Sequence, residues 1–477
     1  MRYALLSYLR CPECGDALAC LVTREVATPT SLFVAAEAER APAAGSAFAA
    51  SPRFAAQTPF AARLAALGAP AAPSRNREAA VAAGLLVCGG CARYFPILDS
   101  LPELLPDHLR SPSRDAALLD RVAPALPADI RSALRAPAAA DHDAGAHYKR
   151  AEMEIVSKLE RPEEFFGPGF SAPFNPGNNE FTQYLVSLFG AVVRLLDLTG
   201  SSQSAVVLDS GCGYAWTSEW LCRSGFETIG VDICRAYLEV AITRMGDAHP
   251  HLVVADVEHL PLAAGCADAV LAYESFHHVP DRAKAMAGYA RVLKDGGPVV
   301  LAEPGEAHES AVGSVDAMTK YGILEKGMEL ADVERYIAGL PFAPPEQHYV
   351  LRASAETLAA GIDLPSAWRH SLFHGNLFRI RKDAARIAPT VAAAPRAPGA
   401  VAPRTYEELH AVHEQAIKEM TARVQRLEAE LHQATLDITA ARAAAVIAQR
   451  TVGDMERSLF WRARRGWVRL AALLGLR

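Results

Sequence analysis

The feature that most constrains this chain is an alternation between residues 205 and 303. Five apolar, β-branched runs occur there: AVVLD (205–209), ETIGVD (227–232), HLVVAD (251–256), DAVLAY (268–273) and GPVVLAE (297–303). Helix-length segments separate them. Short apolar runs spaced by helices are the mark of strands that pair in parallel and are buried on both faces. The expectation is an α/β fold with helices on both faces of the sheet. Two later runs, QHYVL (347–351) and GNLFRI (375–380), would bring it to seven strands.

The first run leads into VVLDSGCGYA (206–215), a strand, a Gly-rich turn and a helix start. Gly211 and Gly213 let backbone approach a ligand, and the next helix presents its N-terminus. Asp232 ends the second run 23 residues after Asp209, where a carboxylate would meet ribose hydroxyls, and Asp256 ends the third. The dinucleotide pattern G-x-G-x-x-G/A fails, because its last position is Trp216, and without a lysine the loop is not a P-loop.

Together the segments LDSGCGYA, GVDIC, ADVEHLPLAAGCADAVLAYESFHHVPD and RVLKDGGPVVLAEPG resemble class I S-adenosylmethionine-dependent methyltransferases, in the type 11 small-molecule-like branch. The resemblance implies a Rossmann-like seven-stranded methyltransferase sheet. It also implies that Asp209, Gly211 and Gly213 hold the amino-acid end of the cofactor. Asp232 would bind the ribose, and Asp256 with Val257 the adenine. Cys212, Ile233 and Tyr273 join the cofactor set from the same loops. Ala215 stands where many members have a third glycine. His278 and His277, after the fourth run, are candidate bases for a hydroxyl acceptor, since imidazole titrates near neutrality. Glu303, His308 and the loop at 165–179 are candidates for the acceptor pocket.

Nine cysteines and no secretory signal argue for a reducing cytoplasm, where paired cysteines more often hold metal than form disulfides. CPEC places Cys11 and Cys14 on one tight turn, and CGGC places Cys88 and Cys91 on another. Four thiolates suit a tetrahedral, structural Zn²⁺. Gly15, Gly89 and Gly90 suit the positive φ and close backbone approach of such knuckles. The long gap between the pairs is compatible with an insertion at a hairpin tip. With its flanks, LRCPECGDAL and GLLVCGGCARYFPILDSLPELLP, the region resembles the small zinc ribbons that activate methyltransferases, the Trm112-like domains.

The remaining organisation is read from pattern. Residues 1–106 are the ribbon with its Ala/Pro-rich insertion, including a short helix at 59–68, and 140–386 the methyltransferase domain. Residues 387–404 are an Ala/Pro linker. Over 405–456, apolar or small residues from Ile417 to Met455 recur at alternating steps of 3 and 4, a coiled-coil seam within a long C-terminal helix that implies a homo-oligomer. Residues 457–477 form a basic amphipathic tail. With Glu456, that tail carries six arginines against one acid, while the whole chain is −6, so the rest of the chain is at −11. Phe460, Trp467, Leu470 and Leu474 fall near one helical face and Arg462, Arg465 and Arg469 near another, a pattern suited to an anionic membrane interface. No run is apolar enough to cross a bilayer.

The order of coiled coil and SLxWR-like basic end resembles tails of bacterial enzymes that build surface polysaccharides. It implies O-methylation of a sugar or lipid-linked glycan, in the cytoplasm or peripherally on the inner face of its membrane. An rRNA or tRNA methyltransferase is the alternative; the acidic body disfavours nucleic acid. A non-catalytic coiled-coil membrane scaffold is the third reading.

Overall fold

The computed structural model describes residues 1–27, 48–50, 54, 57–67, 79–122, 126–138, 145–159, 171–174, 179–198, 205–245, 250–305, 308–348, 376–386 and 459–475, with isolated residues 433, 449, 451 and 452. They fall in two compact units, 1–393 and 394–477.

The first unit opens with a five-stranded antiparallel sheet. Its strands are β1 (Leu18–Ala27), β2 (Phe48–Ala50), β3 (Ala79–Cys88), β4 (Tyr94–Leu98) and β5 (Leu101–Pro102), in the order β2-β1-β3-β4-β5. β1 and β3 pair from Leu18↔Cys88 to Ala27↔Ala79, so residues 28–78 leave and return at one hairpin end. Within that stretch α1 (Pro59–Ala65) begins at Thr58, whose hydroxyl accepts the Ala61 N–H at 2.9 Å, with proline at the first helical position. Helices α2 (Pro112–Val122), α3 (Ala128–Ala133), α4 (Ala146–Met153) and α5 (Asn179–Leu196) follow.

The expected α/β sheet then appears. It comprises β6 (Val206–Ser210), β7 (Glu227–Asp232), β8 (His251–Val254), β9 (Ala269–Tyr273), β10 (Pro298–Glu303), β11 (Glu346–His348) and β12 (Asn376–Arg381). The order is β11-β12-β10-β9-β6-β7-β8, with β12 antiparallel to both neighbours and the β6–β10 ladders parallel. Its described helices are α6 (Trp216–Arg223), α7 (Arg235–Met245), α8 (Arg282–Val292), α9 (Val312–Tyr321) and α10 (Leu330–Tyr336). Strand side chains alternate between two faces. Val206, Leu208, Val270 and Leu301 pack with Met286 and Tyr289 of α8 and Val333 of α10. Val207, Leu271 and Val300 pack with Leu188 and Val192 of α5 and Leu221 of α6.

Ribbon and sheet share one core. Tyr3, Leu5, Leu9, Leu86 and Phe95 belong to the same buried cluster as Leu208, Val231 and Val253. Backbone bonds reinforce the seam: Arg10 N donates to Pro261 O and Ala263 N to Tyr8 O, both at 2.8 Å. The outer edge of β8 is covered where Leu104 N donates to Val254 O at 2.8 Å, which keeps that edge from pairing with another chain.

In the second unit α11 (Leu459–Leu473) presents Trp467, Leu470 and Leu473 to solvent, Leu473 being 84% exposed. Arg462, Arg464, Arg465 and Arg469 are exposed on the same helix, which contains no acid. Apart from Gln433, Gln449, Thr451 and Val452, all helical, the coiled-coil segment 405–456 lies outside the described residues, as does the linker 387–404. No described helix is long and apolar enough to cross a membrane.

Because the cores merge, Leu9→Ala is expected to destabilise the whole first unit by about 3 kcal/mol. In urea, the circular dichroism of the sheet and the reactivity of the knuckle thiols should share one midpoint, and both should fall in the variant. Separate midpoints would show that the ribbon folds on its own.

Candidate functional site

β6 has β7 on one side and β9 on the other, so the loops leaving β6 and β9 diverge and open a crevice at the carboxyl ends of the strands. A cavity of about 230 Å³ occupies it. Gly211 and Gly213 line it with φ of +70° and +51°. A Cβ on Gly211 would fall 2.5 Å from that of Ser275, so both conformation and space require glycine there. Ala215 also adopts left-handed φ, +55°, just before α6. A family glycine at this position is thus explained by backbone conformation, and alanine tolerates it at a cost of about 1 kcal/mol.

Of the residues singled out in the sequence, Asp232, Ile233, Asp256, Val257 and His278 join Gly211 and Gly213 on the cavity wall. Asp232 accepts the Gly213 N–H on Oδ2 and the Cys234 N–H on Oδ1, both at 2.8 Å. Burial nevertheless pushes its carboxyl up to about 6. Asp256 Oδ2 receives the Lys149 ammonium at 3.0 Å and His259 Nδ1–H at 2.7 Å. Its burial would raise the pKa, but His259 and Lys149 outweigh that and hold it below its ordinary value. Lys149 also meets Glu258 at 2.5 Å, and all three groups are buried.

Four expected site residues lie off the wall. Asp209 sits behind the loop, with Thr217 and Ser218 hydroxyls donating to Oδ2 at 2.6 and 2.5 Å, while its buried Oδ1 has no hydrogen-bond partner. Burial pushes it up to about 6. Cys212 is buried in an apolar cluster with Leu238, Ala241 and Leu252, which drives its thiol pKa well up. Tyr273 faces α5: its hydroxyl donates to Leu185 O at 2.8 Å and its ring meets Trp216 edge-on. His277, expected as a base, is 4% exposed, with Nδ1 2.7 Å from Glu303 and Nε2 3.4 Å from Glu325. Burial lowers its pKa, but the two glutamates overcome this and raise it to about 10. That shift favours the imidazolium, and His277 stands off the cavity wall, so the geometry does not place it as a base.

Several wall residues were not singled out in the sequence: Tyr214 and Glu274 lie within the loop segments quoted above, while Lys149, Glu152 and Tyr237 carried no signal. Lys149 and Glu152 come from α4, and Tyr214 and Tyr237 stack edge to face, 4.9 Å between centroids. Glu274 takes left-handed φ, +49°, directly after β9. Among the described residues the wall thus holds five carboxylates (Glu152, Asp232, Asp256, Glu258, Glu274) against one lysine, a setting that favours a cationic ligand. His278 Nδ1 donates to Leu324 O at 2.6 Å, and Glu303 is fully buried, accepting the Ser275, Phe276 and His277 N–H groups rather than lining an acceptor pocket. His308 meets Glu325 at 2.6 Å. Of the loop at 165–179, only 171–174 and 179 are described.

The four thiols predicted to cluster do so. Cys11 and Cys91 sulfurs are 3.6 Å apart, Cys14 and Cys88 sulfurs 3.4 Å, and all four lie within 4.8 Å of one another. A tetrahedron with metal–sulfur bonds of about 2.3 Å has edges of about 3.8 Å, so the set fits one thiolate-bound metal. Gly15 takes positive φ, +79°. Gly89 and Gly90 do not, Ala92 doing so instead. Gly89 sits in a tight place, since a Cβ there would fall 2.8 Å from the Phe54 ring and 3.1 Å from Ala61 Cβ, whereas a Cβ on Gly90 would meet only the tip of the exposed Asp16 side chain, which can turn away.

A family model described as a methyltransferase domain matches residues 208–301. Over 102 residues the chain is 38% identical to the methyltransferase GfsG of Streptomyces halstedii, covering 20% of this chain and 37% of that protein. Over 105 residues it is 32% identical to a ubiquinone biosynthesis O-methyltransferase of Alkalilimnicola ehrlichii, covering 21% and 42%. Over 108 residues it is 28% identical to a malonyl-[acyl-carrier protein] O-methyltransferase of Hamiltonella defensa, covering 23% and 41%. The chain spans about two fifths of the length of these curated relatives. A solved S-adenosylmethionine-dependent methyltransferase from Mesorhizobium loti aligns with TM-score 0.34 and 17% identity over 41% of this chain and 98% of its own. Residues 208–301 thus match a methyltransferase domain model, and they lie within the seven-stranded α/β sheet.

The His277 clamp has a pH signature. A pKa raised from 6.5 to about 10 contributes stability that is fully present below 6.5 and is lost as pH rises through about 10. Urea midpoints of the wild type should therefore fall between pH 7 and 10. In His277→Gln the fall over that window should be smaller; an equal fall would show that the clamp is not the source.

Proposed function

We propose that this chain transfers a methyl group from S-adenosylmethionine to a hydroxyl of a sugar or lipid-linked glycan in bacterial surface-polysaccharide synthesis. The observation that carries the cofactor assignment is the acidic cavity at the strand reversal, five carboxylates to one lysine. S-adenosylmethionine is a net cation, and when bound it supplies a methyl group on a positively charged sulfur. Asp232 keeps lone pairs for two ribose hydroxyls beyond those taken by Gly213 and Cys234. Gly211 and Gly213 let backbone come close to the amino-acid end, and the unpartnered Asp209 Oδ1 is an acceptor behind that loop. Ile233 and Val257 offer apolar contact to the adenine, beside Asp256.

Hydroxyl acceptors are supported by two of the relatives named above, which are O-methyltransferases. Methyl transfer to a hydroxyl needs alignment and a proton acceptor. His278 stands on the cavity wall, and because its Nδ1–H is committed to Leu324 O, Nε2 is the ring nitrogen left to take the acceptor's proton. The Cys11, Cys14, Cys88 and Cys91 set would hold a structural Zn²⁺, four thiolates leaving no open position for chemistry. The coiled coil would make a homo-oligomer. The tail, with exposed arginines and exposed Trp467 and Leu473, would bring the enzyme to the inner face of the membrane, where a lipid-linked acceptor is presented.

Incubation with methyl-labelled S-adenosylmethionine and lipid-linked glycan from the source cells should label the glycan; label confined to RNA or protein would sink the assignment. Asp232→Ala should weaken cofactor binding about 100-fold by calorimetry, the loss expected for two hydrogen bonds to a charged group. The full chain should sediment with vesicles rich in phosphatidylglycerol and not with pure phosphatidylcholine. Replacing Arg462, Arg465 and Arg469 by Gln together should release it, and retention by the triple variant would remove the tail from the account.

A further inference from the structure

Apart from the four thiols, a second group of metal-ligating side chains gathers beyond the carboxyl ends of β9 and β10. Three segments distant in sequence meet there: the turn after β9 with His277, the turn before α9 with His308, and the loop after α9 with Glu325. Both imidazoles converge on one oxygen. Glu325 Oε2 lies 3.4 Å from His277 Nε2 and 2.6 Å from His308 Nε2. His278 also brings a ring nitrogen within 4.8 Å of His277 and Glu325, but its Nδ1 is held by Leu324 O at 2.6 Å and it faces the cofactor cavity.

The spacing suits a small cation. Bonds of about 2.1 Å to nitrogen and oxygen set tetrahedral ligand atoms about 3.4 Å apart. His277 and Glu325 already stand at that separation. His308 would retreat by less than about 1 Å, and its partly exposed place on a short turn allows this. The shell behind the ligands is built as well. Glu303 Oε2 takes His277 Nδ1 at 2.7 Å, which turns Nε2 towards Glu325, and Glu303 is itself fixed by three backbone N–H groups. A carboxylate behind a histidine is the usual device that orients a metal-ligating imidazole. Ser314 Oγ, 3.5 Å from His308 Nδ1, offers that ring an outer partner too. A metal ion displaces the proton that His277 carries. Glu303 and Glu325 then leave a charge of −2 around neutral rings, which one dication balances. His277, Glu303 and Glu325 are buried, so water screens that charge little.

We propose that His277 Nε2, His308 Nε2 and the Glu325 carboxylate hold one divalent transition-metal ion. Two imidazoles select zinc, iron or nickel over magnesium. Three protein ligands leave a further position open to water or another oxygen donor. The site stands on these side chains and holds whether or not methyl transfer is found.

Titration of the full chain with Co²⁺, after loading with one equivalent of Zn²⁺ for the thiols, tests it by calorimetry and visible absorption. Wild type should take up one Co²⁺ without a sulfur-to-cobalt charge-transfer band, and should not take up Mg²⁺ in its place. His308→Gln and Glu325→Gln should each weaken Co²⁺ binding by about tenfold to 100-fold or more, the loss that follows removal of outer-shell partners alone. His147→Gln, on an exposed histidine outside the cluster, should leave it unchanged. His308 is partly exposed, so its variant is expected to fold, which circular dichroism checks. No Co²⁺ binding by wild type, binding that always brings the sulfur band, or equal affinity in the folded His308→Gln chain and the control would overturn the proposal.

Discussion

The fusion of two hydrophobic cores along residues 8–10 and 103–104 is the constraint on which the rest depends. A ribbon of this size has little apolar surface of its own to bury, and a parallel sheet has an open edge at β8. Each corrects the other. Leu5, Leu6 and Leu9 complete the layer under β6 and β7, while Leu104 covers β8. That docking sets Asp107 within reach of both knuckles, accepting Arg93 Nε–H at 2.7 Å while its own N–H meets Glu13 at 2.7 Å. It also sets His108 edge-on against His259, one residue from the cofactor wall.

Buried charge is handled in small, closed groups. Lys149 lies between Asp256 and Glu258, and His277 between Glu303 and Glu325, each a cation flanked by two carboxylates. Such triads owe little to net attraction, since desolvation offsets much of the gain. Their effect is geometric. Glu303 gathers three N–H groups of the segment after β9, and that segment carries Glu274 and His278 to the cavity. Lys149 ties α4 down over the same opening.

Most of the sheet could be read from residues 205–303, because parallel strands buried on both faces are written as unbroken apolar runs. The loop glycines and Asp232 followed from the turn that ends β6 and the carboxylate that ends β7. Motif position alone could not tell which way a side chain points. Tyr273 is the last residue of β9, yet pleating sends it to the α5 face, and the next residue, Glu274, turned by a left-handed backbone, reaches the cavity. Cys212 sits between two wall glycines and points inward. His277 and His278 are neighbours with opposite fates, decided by Glu303 and Glu325, which are distant in sequence. Lys149 and Glu152 were illegible for a similar reason: a lysine beside Arg150 on a short helix looks like a solvated residue until the fold closes over it.

The pairing of Ala27 with Ala79 bears on how the chain reaches this state. The two knuckles that must meet are separated by the whole interval between β1 and β3, so their encounter is a non-local event. Closure of a long loop costs entropy only logarithmically in its length, so the interval weighs little on final stability. It weighs more on rate, because distant contacts form late. The helix-rich half around β6 to β10, built from neighbouring segments, is the natural nucleus, and the ribbon is a late clasp. Until that clasp closes, the edge of β8 is bare, and the half-folded chain is most exposed to mispairing with copies of itself.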